Sequence, residues 1–167
     1  MFQVGDTVVC GSNGVCRVES IGPIAIMGKA GKDKKYYTLV PYFDNDGRVF
    51  LPVESERSSM RYILTKEDVA VLMSEIDKLD QLTITDEKMR EAEYRDAVNS
   101  SDPRRLIRAI KTMYCRRKAR MEKGKKSTAM DERYIKLAEK RLYEEMSLVL
   151  EIEAEEARNN VMAYIEC

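Results

Sequence analysis

The densest chemistry in this chain is a set of cations at helical spacing. From Pro103 to Lys126 the segment reads PRRLIRAIKTMYCRRKARMEKGKK. Leu106, Ile107, Ile110, Met113 and Tyr114 recur at the spacing of one helix face, and Arg104, Arg105, Arg108 and Lys111 fall on the other. Beyond Tyr114 come Arg116, Arg117, Lys118, Arg120, Lys123, Lys125 and Lys126, against the single acid Glu122. A surface of this composition is expected to contact phosphates, with an affinity that falls as salt rises and depends little on base sequence, or else to be an ordinary solvated helix face. The whole chain carries 29 Lys plus Arg against 29 Asp plus Glu, so only this local asymmetry is available for steering. An ideal helix returns Arg117 to the apolar side, so the sequence predicts that the helix ends or bends near Cys115.

Other chemistry is thinly provided. The chain has no His, which removes the commonest general base near neutral pH and the commonest metal ligand. Cys10, Cys16, Cys115 and Cys167 form no CxxC pair, so neither a zinc site nor a disulfide framework is expected. Cys115 projects to the polar face in this reading, but a thiol without a base is no nucleophile. There is no phosphate-binding Gly loop and no recognisable acid–base pair. The reading is a non-enzyme without metal, cofactor or small-molecule substrate. The absence of a signal peptide or long apolar run places it in a reducing cytoplasm, away from membranes.

The elements that must position the cations divide into two kinds. Residues 1 to about 55 read as short strands and turns: Thr7 to Val9, the turn Gly11-Ser12-Asn13-Gly14, a strand from Val15, another over Lys35 to Val40, the loop Asp44 to Gly47, and a strand over Arg48 to Val53. The Gly- and Lys-containing stretch from Ile21 to Lys34 is expected as a long hairpin tip. From Thr65 the period becomes helical. Thr65 and Asp68 resemble a capping box ahead of Val69, Leu72, Met73, Ile76 and Leu79. A weaker helix over residues 86 to 98 points Met89, Tyr94 and Val98 inward. Asp102-Pro103 starts the basic helix and Gly124 stops it. Ser127 or Thr128 caps a further helix with Ile135, Ala138, Leu142, Met146 and Val149 buried. Glu151, Glu153, Glu155 and Glu156 then form an acidic tail, a solvated helix end or a loosely attached extension. The fold class is α+β: residues 1–60 a small SH3/Tudor-like bent β-sheet or partly open barrel, residues 61–167 an all-α bundle with that tail.

FQVGDTVVCGSNGVCRVESI, KKYYTLVPYF, RVFLPVE and the later Ser59-Met60-Arg61-Tyr62, in this order and spacing, resemble the RNA-polymerase-interacting domain of the CarD/CdnL family, which transcription-repair coupling factors share. NSSDPRRLIRAIKTMYCRRK is similar to that family's turn into a basic helix. The resemblance implies a transcription regulator that binds the β subunit of bacterial RNA polymerase and contacts promoter DNA, altering open-complex stability. On it, Arg48, Val49, Phe50, Leu51 and Pro52 form the polymerase-binding edge strand. Arg90, Arg104, Arg105, Arg108, Lys111, Arg116, Arg117, Arg120, Lys125 and Lys126 are the DNA-binding candidates. Many members carry a Trp wedge ahead of the basic helix; this chain has no Trp, and Tyr94 and Met89 are weak substitutes, so backbone electrostatics is the expected mode. The alternative reading is a general RNA-binding protein built from a β-barrel and a basic helix.

Overall fold

The computed structural model describes residues 1–24, 33–44, 47–55 and 60–167. The centre of the hairpin tip expected over Ile21 to Lys34, part of the Asp44 to Gly47 loop, and Ser59 of the family motif lie outside the described residues. The chain divides into two compact units, Met1–Ile63 and Leu64–Cys167.

The first unit is one antiparallel sheet of β1 (Thr7–Cys10), β2 (Gly14–Gly22), β3 (Tyr36–Pro41), β4 (Val49–Pro52) and β5 (Met60–Tyr62), in the order β4-β3-β2-β1-β5. The β1–β2 hairpin closes on Cys10 opposite Gly14, whose φ of 73° is the left-handed conformation glycine adopts without strain. Alternation then sorts the side chains: Val8, Cys10, Cys16, Val18, Tyr37 and Leu39 form the core, with Val49, Leu51 and Met60 packed against it. Pairing between β2 and β3 slips by one residue between Val18 and Ser20, so Glu19 is the extra residue of a bulge. The sheet stays open, with β4 and β5 as its two edges. The sequence contained Met60–Tyr62 as a motif without revealing it as a strand, because three residues carry no periodicity.

The second unit is helical. Thr65 and Asp68 complete a reciprocal capping box at the start of α1 (Lys66–Glu75), which runs into a 3₁₀ turn over Ile76–Lys78. Residues 79–86 form no helix or strand, and a second 3₁₀ turn (Glu87–Met89) leads into α2 (Arg90–Asn99). Asp102 caps α3 (Pro103–Glu122), accepting from the Arg104 N–H at 2.9 Å, with Pro103 at the first helical position. Gly124, at φ 73°, ends it. Thr128 caps α4 (Ala129–Leu150), and α5 (Ala154–Met162) follows a turn in which Glu151 takes φ 55°. Tyr94, Val98, Leu106, Ile107, Ile110, Met113, Ile135, Ala138, Leu142 and Met146 share one core with Ala157 and Val161.

Four expectations change. The basic helix neither ends nor bends at Cys115 but continues to Glu122. Arg117 is accommodated on the flank facing Glu132, with its guanidinium over the Tyr114 ring. Cys115 is buried, at 8 % exposure, rather than on the polar face, and it is joined by a disulfide to Cys167. Met89 is half exposed rather than inward. The acidic segment is no loose extension: Glu155 and Glu156 sit in the first turn of α5, where the helix dipole favours them, while Ala157, Val161 and Ile165 are buried.

Candidate functional site

In the sheet unit the candidate strand β4 is an edge. The Val53 N–H donates to the Lys35 carbonyl at 2.9 Å, and Tyr37 stands opposite Leu51 and Leu39 opposite Val49. Backbone groups alternate in direction along a strand, so Val49, Leu51 and Val53 turn theirs to β3, and Phe50 and Pro52 turn theirs outward. Pro52 has no N–H to leave unpaired, which suits an edge. The side chains alternate too: Val49 and Leu51 pack on the core, while Phe50 remains 40 % exposed. Arg48, just ahead of the strand, makes a two-pronged bond to the bulge residue Glu19, at 2.7 and 3.0 Å. The bulge re-aims Glu19 for this contact, so the Arg48 guanidinium is committed within the sheet.

In the helical unit the cations fall into two groups. The first half of α3 spends its positive charge internally. Arg104 pairs with Glu75 of α1 at 2.6 Å and Arg105 with Glu93 of α2 at 3.9 Å. Arg108 donates to the carbonyls of Asp80 and Gln81, and Lys111 to that of Leu79 at 2.9 Å. Thr112 completes this clamp, its hydroxyl accepting from the Leu82 N–H at 2.8 Å. Residues 79–82 belong to no helix or strand, so these donors and acceptors from one helix face bond backbone groups that have no ladder of their own. Replacing Thr112 with Val keeps the shape but leaves the part-buried Leu82 N–H without this acceptor; it is expected to cost about 1 kcal/mol, read from urea unfolding, and an unchanged midpoint would disprove the clamp.

Farther along, Arg116 reaches Asp131 at 3.4 Å and Glu87 at 4.0 Å, and Arg117 reaches Glu132 at 3.3 Å. Arg90 is held by Glu87 at 2.6 Å and donates to the Tyr94 hydroxyl at 3.0 Å. Tyr94 is fully buried and therefore unavailable as a DNA wedge, whereas Met89 is exposed. The Arg120 guanidinium turns back to the Lys126 carbonyl at 2.9 Å. Lys118, Lys123, Lys125 and Lys126 are exposed, and none forms an ion pair among the described residues. Lys118 and Lys123 were not distinguished from the rest of the run in sequence, since pairing partners such as Glu75, Glu93 and Glu132 lie far from it in the chain.

These ion pairs leave a pH signature. Bonding to Arg104 holds the Glu75 carboxyl below the ordinary 4.5. Bonding to Arg90 does the same for Glu87, and bonding to the Tyr134 hydroxyl and to Arg133 for Glu91. A carboxyl lowered on folding stabilises the protein above its unfolded value and loses that contribution as pH falls through the folded value. The helical unit is therefore expected to weaken as pH drops below 4.5, and Glu75→Gln to flatten part of that decline in a pH series of unfolding midpoints. A Gln variant with the wild-type pH profile would show that the Arg104 pair does not act in solution.

The first unit is a small sheet with β4 as an edge strand among the described residues, and the second is a helical unit with exposed lysines around the end of α3. Residues 2–64 match the family model of the CarD-like/TRCF RID domain. The sheet unit is a CarD-like domain, and domains of this family interact with RNA polymerase. The match ends where the helical unit begins. No curated protein matches the chain. Among the described residues no helix is long and apolar enough to cross a membrane, and no group of three or more His, Cys, Asp or Glu side chains is placed to hold a metal.

Proposed function

We propose that the protein is a cytoplasmic transcription regulator that docks on the β subunit of RNA polymerase through the open edge of β4. It contacts promoter DNA through the lysines around the end of α3, and so alters open-complex lifetime without covalent chemistry. The observation that carries the reading is the β4 edge within a polymerase-interacting domain, with Phe50 and Pro52 turning their backbone outward. A strand added there gains main-chain hydrogen bonds, while the exposed Phe50 ring supplies selectivity. The lysines then act at the high local concentration that docking creates, so weak phosphate contacts suffice.

The internal pairing of Arg104, Arg105, Arg108 and Lys111 favours a division of labour within α3. Its first half holds the helical unit together and its last turn, with the loop after it, meets the nucleic acid. The test is retention on immobilised polymerase, followed by open-complex lifetime on several promoters with and without the protein. Retention by the isolated β lobe and a changed lifetime are expected. Absence of polymerase binding, or tight RNA binding without polymerase, would replace this reading with that of a general RNA-binding protein.

A further inference from the structure

The Cys115–Cys167 pair lies outside both contact surfaces. It joins the middle of α3 to the segment after α5, closing a span of 52 residues with Cα atoms 5.4 Å apart. Its two halves differ in access: Cys115 is buried and Cys167 is exposed. Cys10 and Cys16 are buried thiols in the sheet unit, so no other disulfide is formed among the described residues. The segment carrying Cys167 has few other anchors. Ile165 is buried and its N–H bonds to the Met162 carbonyl. Among the described residues, the N–H groups of Glu166 and Cys167 bond to no backbone carbonyl.

We infer that this pair is a thiol–disulfide exchange site that locks the segment after α5 onto the basic helix when oxidised and releases it when reduced. The reaction partner is a dithiol, or two molecules of a monothiol acting in turn, and in reverse the corresponding disulfide. A reductant thiolate attacks the sulfur of Cys167, the exposed residue of the pair, breaking its bond to Cys115 and forming a mixed disulfide. Cys115 leaves as a thiolate and takes up a proton. The reductant's second thiol, or a second monothiol, then closes on the first reductant sulfur and expels Cys167 as the other thiol. Two electrons and two protons pass from the reductant to the pair, and the reductant ends as a disulfide. Exposure of one sulfur-bearing residue and thin anchoring of its segment are the features of an exchangeable bond, whereas an inert staple has both ends enclosed. In a reducing compartment a bond of this kind forms under oxidation and reports it.

The full chain is equilibrated over a range of reduced to oxidised glutathione, alkylated, digested and mapped without reduction. The linked Cys115–Cys167 peptide is expected to give way to two alkylated peptides within that range, with Cys10 and Cys16 thiols throughout. Hydrogen exchange of residues 154–167 is expected to speed by about tenfold or more on reduction, because the loop constraint and the anchor are lost together. Cys167→Ser should exchange at the reduced rate even under oxidising conditions, which covers the case that Cys115→Ser disturbs the core. The inference is overturned if the linked peptide never forms, if it persists at the most reducing ratio, or if exchange is equal in both states. Polymerase retention measured in parallel belongs to the sheet unit, so its loss would count against the proposed function and not against the exchange site.

Discussion

Changing Lys118, Lys123, Lys125 and Lys126 together to glutamine is expected to weaken binding of promoter DNA by about a hundredfold near 50 mM salt, with the slope of log affinity against log salt falling by about 3 to 4. The change in slope follows from counterion release: each neutralised phosphate contributes about 0.9, and four contacts disappear. These lysines are chosen because they are exposed and form no ion pair among the described residues, so their removal leaves no carboxylate unpaired. The helical unit should keep its unfolding midpoint, since exposed lysines at the end of a helix contribute little to stability. Anisotropy of a labelled duplex, titrated over several salt concentrations in the presence of polymerase, reads both numbers. An unchanged slope would remove the lysines from the interface.

Arg104, Arg105 and Arg108 should respond in the opposite way. Their guanidinium groups hold Glu75, Glu93 and the carbonyls of Asp80 and Gln81, so alanine there loosens α1, α2 and residues 79–82 from α3. The expected result for Arg108→Ala is about 1 kcal/mol of lost stability in urea, with a salt slope close to wild type. A large drop in slope with unchanged stability would show that Arg108 leaves its carbonyl partners to meet phosphate.

What was legible in the sequence is what local periodicity encodes. The capping box at Thr65 and Asp68, the Asp102-Pro103 start and the glycine stop at Gly124 are properties of a few adjacent residues, and each stands where the pattern puts it. The hydrophobic stripe of α3 was equally plain. What the stripe could not reveal is how the polar face is spent. Nothing local in the sequence sets Arg104 and Lys111 apart from Lys118 and Lys125, and only the return of α1, α2 and residues 79–82 to the same helix separates cations that are paired from those that form no ion pair among the described residues. The Cys115–Cys167 bond was hidden for the same reason, because a 52-residue separation carries no spacing signal. The acidic segment misled through its charge: four glutamates outweighed Ala157, Val161 and Ile165, whose i, i+4, i+8 spacing was the available sign of a packed helix.

Phe50→Pro is expected to abolish retention by polymerase, a loss of about a hundredfold or more, while the sheet stays folded. The direction of one N–H decides this. Because Val53 bonds back to Lys35 and the β3–β4 register is regular, residues 49, 51 and 53 serve β3, and the Phe50 N–H faces away from the sheet. Proline at position 50 therefore removes no hydrogen bond among the described residues, and an edge strand tolerates it on that side. It does remove the donor that an added strand would use, and it places a ring where the partner backbone must approach. Phe50→Ala deletes the exposed ring and keeps the N–H, so it should weaken retention by a smaller factor; the difference between the two variants measures the main-chain share. Leu51→Pro, one residue along, breaks the pairing with Tyr37 and should unfold the sheet. Far-ultraviolet circular dichroism and a pull-down on the three variants separate these cases. If Phe50→Pro remains folded and still binds polymerase as tightly as the wild type, docking does not proceed by strand addition at β4.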